Sequence, residues 1–375
     1  MGCWVNMVGN TNQRLQDAVL KALSTIQDPD LGKDIVSLGF IKNLLIEKTL
    51  LSKFKVSFDI ELTTPACPVK DQLQRDAQRA VEALHEVGEV RVRMTAQVRP
   101  VGKGRTVPGV RTIIAVGSGK GGVGKSTVAV NLALALKAMG ARVALLDADV
   151  YGPSLAAMLG LSGMPKVKNG RILPMEGHGI PCISFAFFAP IGEAVIWRGP
   201  QIAKAVEQML FEVDWAGSEG NPERADIDYL LIDLPPGTGD VHLTVAKSAP
   251  LAGAVLVSTP QDIAMLDTLK GLAMFERLNV PVLGLVENMS GFLCPHCDKV
   301  TEVFGSGGAE RKAAERGVPF LGRLPLHPLV VEKGDRGVPI VAAEPTHPVS
   351  RAFERIASEM ARNLSKVSHA TPSDS

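Results

Sequence analysis

The stretch Gly119-Lys120-Gly121-Gly122-Val123-Gly124-Lys125-Ser126-Thr127 lies between an apolar run, Thr112 to Val116, and a helical pattern, Val128 to Met139. A strand, a glycine-rich loop and a helix in that order form a cradle for phosphate, because successive backbone N–H groups and the N-terminus of the helix face the anion. The loop matches G-x-x-x-x-G-K-[ST] from Gly119 to Ser126, so residues 119 to 127 are expected to bind nucleotide. Glycine is expected in it because a side chain would block the approach of the phosphates. Lys125 is expected to reach the β- and γ-phosphate oxygens of ATP, and the Ser126 hydroxyl to complete a Mg²⁺ shell.

Lys120 departs from the ordinary form of this loop, in which no second lysine directly follows the first glycine. A cation there can reach outward to a phosphate held by a second subunit. In this the chain resembles the deviant-Walker ATPases, whose members include septum-site, plasmid-partition, arsenical-pump, nitrogenase iron-protein and iron–sulfur-carrier proteins. The resemblance implies a homodimer in which Lys120 acts beside Lys125 in catalysis.

Beyond the loop, apolar runs at Thr112–Val116, Arg142–Leu146, Tyr229–Ile232, Ala252–Val257 and Val282–Val286 alternate with helical segments. This pattern predicts an α/β fold with a doubly wound, mostly parallel sheet over residues 111–367, in which function gathers at the carboxyl ends of the strands. Upstream, Leu15–Ile26 and Val69–Leu84 have helical spacing, whereas Phe40–Ile46, Phe54–Leu62 and Val90–Val98 read as strands. That order predicts a small N-terminal α+β domain over residues 12–99. Pro100 to Gly109, rich in proline, glycine and positive charge, reads as a linker over residues 100–110. A last helix, about Ser350 to Val367, carries an apolar stripe of Phe353, Ile356, Met360 and Leu364 suited to the core, a membrane-surface helix being the alternative, and residues 368–375 are expected to form a disordered tail.

With 375 residues, 46% of them hydrophobic, the chain is long enough for two packed domains. Lys and Arg number 40 against 39 Asp and Glu, a net charge of +1, which gives no global pull toward nucleic acid or an anionic membrane. No long uninterrupted apolar run occurs, so no membrane span is expected. Met1 to Asn12 hold neither a basic segment nor a long apolar one, so no secretory signal is expected. The expected compartment is the cytoplasm, with a plastid or mitochondrion as the alternative if the amino terminus is trimmed. Five cysteines, an odd and sparse set, argue against a disulfide framework and for a reducing compartment.

Three strand ends carry chemistry. In Leu145-Leu146-Asp147-Ala148-Asp149-Val150-Tyr151-Gly152-Pro153-Ser154, Asp149 is the candidate for orienting and deprotonating the attacking water; a simple helix cap is the alternative. In Tyr229-Leu230-Leu231-Ile232-Asp233-Leu234-Pro235-Pro236-Gly237-Thr238-Gly239-Asp240, Asp233 fits the aspartate that holds Mg²⁺ through a water, and the loop after it fits a sensor of the γ-phosphate. In Glu287-Asn288-Met289 the amide of Asn288 can read an adenine edge, a turn-forming asparagine being the alternative. Pro325, in Leu324-Pro325-Leu326-His327-Pro328, can lie against the base.

Cys294-Pro295-His296-Cys297 places two thiolates at a spacing that suits one metal centre, although such pairs are also redox-active or incidental. A zinc ion or a four-iron cluster wants four ligands, and a two-fold dimer would supply them from two such pairs. Cys67 lies in Thr64-Pro65-Ala66-Cys67-Pro68, where a strand ends and a helix begins. A thiol there is expected to have a lowered pKa and is a further candidate for holding iron; burial as a small apolar residue is the alternative. Cys182 and Cys3 suggest no role.

Taken together, these motifs resemble the Mrp/ApbC family of ATP-dependent iron–sulfur cluster carriers. The resemblance covers about Thr112 to Leu364 through the phosphate loop, D-A-D-V-Y-G-P-S, Trp197-Arg198-Gly199-Pro200, D-L-P-P-G-T-G-D, Thr259-Pro260-Gln261, E-N-M-S and C-P-H-C. Asp28-Pro29-Asp30 and T-P-A-C-P resemble the small domain that recurs in iron–sulfur assembly factors. The family implies a slow Mg²⁺-dependent ATP hydrolase, a homodimer whose paired C-x-x-C motifs hold a labile [4Fe-4S] cluster, and apo iron–sulfur proteins and other assembly factors as partners. The amino-terminal half also resembles plastid members that lack the C-P-H-C pair, and His327 stands where the family usually has an acidic residue. Partition or septum-positioning ATPases, nitrogenase-type reductases and a zinc-stabilised dimeric ATPase are the competing readings. The first would call for a basic face or basic membrane helix; the second takes its cysteines from separate strand ends.

Overall fold

The structure, a computed structural model, describes residues 4–49, 53–98, 105–188, 199–217, 226–297 and 299–370. Two compact units divide the chain, residues 1–98 and 99–375.

The first unit contains helix α1 (Trp4–Leu23), strands β1 (Ile41–Lys48) and β2 (Phe54–Leu62), helix α2 (Lys70–Glu82) and strand β3 (Val87–Ala96). β1 runs antiparallel to the central β2, and β3 parallel to it, the parallel step being made through α2. Phe54, Val56, Phe58, Ile60 and Leu62 recur at the two-residue period of a strand, and all are buried. They share one core with Leu15, Val19 and Leu23 of α1 and with Leu73, Ala77 and Val81 of α2. The first helix starts at Trp4, well before the expected Leu15, because Asn6, Gly9, Asn10, Thr11 and Asn12 hide its period.

The second unit is built on strands β4 (Val110–Ser118), β5 (Val143–Asp147), β6 (Met175–Gly177), β7 (Ile180–Ser184), β8 (Ile227–Asp233), β9 (Leu251–Ser258), β10 (Val282–Glu287) and β11 (Phe320–Arg323). Between and after them lie helices α3 (Lys125–Ala138), α4 (Gly199–Phe211), α5 (Asp240–Ser248), α6 (Asp262–Arg277), α7 (Gly308–Arg316), α8 (Pro328–Asp335) and α9 (Pro348–Ala370). All eight strands form one sheet in the order β6-β7-β5-β8-β4-β9-β10-β11, parallel except for the β6–β7 edge pair. Every residue of β8 and β9 is buried, as a parallel strand covered on both faces requires. Helix α3 is buried continuously from Val128 to Leu136. β4 and α3 bracket the phosphate loop, and β5, β8 and β10 end at Asp147, Asp233 and Glu287. The acidic residues of the sequence motifs thus come to one edge of the sheet, as expected where parallel strands end together.

Two expected boundaries change. Val107 is buried in the core of the second unit and Arg105 stacks on Phe211, its guanidinium carbon 4.0 Å from the ring centre. The end of the expected linker is therefore packed; residues 99–104 lie outside the described residues. Helix α9 runs through residues 368–370, into the expected tail, because its apolar stripe keeps the preceding turns on the core; residues 371–375 lie outside the described ones. The pair β6–β7 escaped the sequence reading, since Pro181 and the flanking Gly177 and Gly179 look like loop chemistry.

Candidate functional site

Two glycines of the phosphate loop answer to the protein itself. A Cβ on Gly119 would strike the backbone of Asp267 and Thr268 in α6, and one on Gly124, which has φ +80°, would strike the Asn288 amide nitrogen. Gly121 and Gly122 meet no close neighbour, so they keep the mouth of the cradle open. Packing against the protein thus also requires glycine at the two ends of the loop, whereas its middle stays open.

At the floor of the cradle lies a buried ionic cluster. The Lys125 ammonium donates to Asp233 Oδ1 at 2.6 Å and lies 3.7 Å from Asp149 Oδ2 and 3.2 Å from the Ser126 hydroxyl. Ser126 donates to the other Asp233 oxygen. Only 6% of Lys125 and none of Asp233 is exposed. Burial lifts the Asp233 carboxyl above its usual range, while Lys125 and Ser126 pull it back. A hydroxyl and a carboxylate this close can share a divalent cation, and the ammonium between carboxylates can turn to phosphate oxygens instead. Lys120 is exposed and has no ion pair among the described residues, as an outward-reaching cation needs.

The loop bearing Asp149 hangs from Asp147, a residue the sequence did not single out. Asp147 Oδ1 accepts from the Asp149 N–H at 3.2 Å; its Oδ2 accepts from Ser184 Oγ at 2.8 Å and from Leu155 N–H, the start of a short helix, at 3.2 Å. One fully buried carboxylate thus ties down both ends of the loop. Burial and the nearby Asp233 raise its pKa. Asp149 Oδ1 accepts from the N–H groups of Tyr151 and Gly152, which leaves Oδ2 toward Lys125.

A cavity of about 250 Å³ spans the loop residues from Lys120 to Thr127, Asp149 and Pro236. A second, of about 600 Å³, adjoins it through Asp149, Gly152 and Pro236 and extends to Tyr151 and Asp240. Just after the loop that follows Asp233, in the first turn of α5, His242 is 1% exposed and neither ring nitrogen has a hydrogen-bond partner among the described residues. Burial pushes its pKa down to about 4, so the ring is neutral.

Asn288 and the cysteine pair leave the end of β10 together. Asn288 is half-buried and its amide donates to the Val123 carbonyl at 2.8 Å, bracing the phosphate loop with one of the groups expected to read a base. Cys294 and Cys297 follow Phe292–Leu293, which pairs antiparallel with Val300–Thr301 in a small hairpin. Cys294 is half-buried and Cys297 exposed. Among the described residues no group of three or more His, Cys, Asp or Glu is arranged to hold a metal ion. The half-buried Pro325 lies in a segment zipped to this turn by Leu324 N–H to the Glu287 carbonyl and Leu326 N–H to the Gly291 carbonyl, each 2.8 Å. His327, two residues on, is the N-cap of α8: its Nδ1 accepts from the Leu329 N–H at 3.3 Å. An imidazole thereby does the capping that a carboxylate can do.

Cys67 does not have the lowered pKa expected of it, and its burial follows the alternative reading. Burial, with Asp28 and Asp30 adding to it, pushes the thiol up to about 11, so desolvation outweighs the N–H groups of Val69 and Lys70. Cys182 lies fully buried in β7. Cys3, Trp197 and Arg198 lie outside the described residues. No helix among the described residues is long and apolar enough to cross a membrane.

Against this geometry the comparisons are specific. A family profile described as NUBPL iron-transfer P-loop NTPase matches residues 109–361, and one described as iron–sulfur cluster assembly protein matches residues 16–92. The chain is 43% identical to an iron–sulfur cluster carrier protein of Deinococcus radiodurans, over 94% of this chain and 96% of the relative. To the iron–sulfur cluster carrier protein of Synechocystis it is 45% identical, over 93% and 98%. Among solved structures, the nucleotide-binding protein of Archaeoglobus fulgidus in complex with ADP is 34% identical, covers 65% of this chain and 92% of its own, and superposes with a TM-score of 0.54.

Proposed function

Because the chain belongs to the ParA family of NUBPL-type iron-transfer P-loop NTPases, we propose that it is an ATP-dependent iron–sulfur cluster carrier. It binds Mg-ATP in the loop from Gly119 to Thr127, hydrolyses it slowly, and carries a labile [4Fe-4S] cluster between two copies for delivery to apoproteins. One observation carries this reading: the Lys125–Asp233–Asp149 cluster and two cysteines three residues apart occupy one unit, after the ends of parallel strands of one sheet.

Lys125 holds the β- and γ-phosphates, Ser126 and Asp233 hold Mg²⁺, and Asp149 orients and deprotonates water. The cation supplies charge neutralisation on the phosphates when bound. Asp147 keeps Asp149 aimed. Asn288 and Pro325 receive the adenine, and Lys120 reaches the phosphates of the second copy. Cys294 and Cys297 contribute two thiolates, so four ligands require two chains. The small domain, matched by the assembly profile, engages partners in cluster assembly.

Asp149→Ala tests the hydrolytic part. It should bind ATP as the parent does and lose turnover by about 10²–10⁴, the usual contribution of a positioned general base. Lys120→Ala should keep the monomer fold and weaken ATP-dependent dimerisation, read by light scattering. Normal turnover in both variants would remove these residues from the mechanism.

A further inference from the structure

Glu287, at the end of β10, is fully buried and does more than its motif suggests. Its Oε1 accepts from the Ser290 hydroxyl at 2.6 Å and from the Gly307 N–H at 2.8 Å, and its Oε2 accepts from the Ala309 N–H at 2.8 Å. Gly307 is the N-cap of α7, where N–H groups have no helical partner and the dipole favours an anion. Ser290 and Gly307 also bracket the hairpin that carries Cys294 and Cys297. Both feet of that hairpin therefore rest on one carboxylate oxygen.

The next residue faces the nucleotide loop. Asn288 donates to the Val123 carbonyl at 2.8 Å, and its own N–H bonds the Ser258 carbonyl at 2.7 Å. Met289, between the two anchors, is held at φ +57°, a left-handed conformation that a long side chain rarely adopts. The turn is thus held from both sides, and the Asn288–Val123 hydrogen bond ties the phosphate loop to the backbone that positions Glu287.

We propose that Glu287 is a positioning residue that transmits nucleotide occupancy of the phosphate loop to the Cys294/Cys297 hairpin. The link runs through the Asn288–Val123 hydrogen bond on one side and the bonds to Ser290, Gly307 and Ala309 on the other. It rests on the carrier reading for the roles of loop and cysteines. A static brace would hold the hairpin alike in every nucleotide state, whereas a transmitting residue makes the hairpin answer to the nucleotide.

The test uses the full-length, metal-free chain and reads the rate at which iodoacetamide labels Cys294 and Cys297, without nucleotide, with Mg-ADP and with Mg-adenylyl imidodiphosphate. In the parent, nucleotide should change that rate at least about fivefold, the lower end of ordinary coupling between sites. In Glu287→Gln, where an amide replaces one accepting oxygen, ADP should still bind and the ratio should fall to about one. Ser290→Ala, which removes one foot only, should give an intermediate ratio and serves if Glu287→Gln does not fold. A parent that binds ADP with an unchanging labelling rate overturns the inference and leaves the carrier reading standing. So does a variant that keeps the parent's ratio. A parent that binds no nucleotide overturns the carrier reading itself.

Discussion

Lys125 donates to Asp233 across 2.6 Å in a place where neither side chain meets solvent appreciably. The pair joins the end of β8 to the start of α3, so Lys125 carries structure besides its proposed hold on phosphate. Removing one partner of a buried, hydrogen-bonded ion pair leaves the other uncompensated, a cost of about 3–5 kcal/mol. Lys125→Ala should therefore lose nucleotide binding and also unfold at lower urea, by an amount in that range. A variant as stable as the parent would show that Asp233 finds another partner and that the lysine serves ligand alone.

His242 offers the opposite case, a substitution expected to stabilise. Two buried nitrogens without partners carry a desolvation penalty of about 1–3 kcal/mol, which His242→Leu removes at little change in volume. The ring takes its proton near pH 4 in the folded protein and near 6.5 in an unfolded chain. Through this ring the fold loses no stability to protonation above pH 6.5 and loses it progressively as pH falls from 6.5 toward 4. Urea midpoints at pH 7.5 and 5.0 should show the variant ahead at both, and further ahead at 5.0. A variant less stable than the parent at pH 7.5 would mean that the ring nitrogens are already satisfied.

Cys67 should behave as a hidden thiol. With its pKa pushed to about 11, roughly one thiol in a thousand is ionised at pH 8. Alkylation at Cys67, followed by mass spectrometry on the native chain, should be far slower than at the exposed Cys297 and should rise about tenfold per pH unit up to that value. Fast labelling at pH 7 would restore the thiolate expected from its place before α2.

Much of this architecture is legible in the chain because the signals are local. The phosphate loop declares itself through glycine spacing, and β2, β8 and β10 through runs that end in turn residues or carboxylates. What stayed hidden is decided by contacts far apart in sequence. Asp147 and Glu287 look like ordinary acids at strand ends until Ser184, Ser290 and Gly307 arrive beside them. At Cys67 helix position argues for a thiolate, whereas burial, which only the folded domain supplies, argues more strongly against it. Gly119 and Gly124 fit the motif, but α6 and Asn288 demand them as much as any phosphate does.

The central claim is that two copies of the chain carry one cluster on their paired cysteines, and anaerobic reconstitution followed by iron, sulfide, zinc and protein analysis tests it most directly. The account predicts about four irons and four sulfides per two chains in the parent, the content of one Cys₄-ligated cluster, with none retained by the Cys294→Ser, Cys297→Ser double variant although ATP still binds. Stoichiometric zinc without iron in the parent, or an undiminished cluster in the double variant, would contradict it.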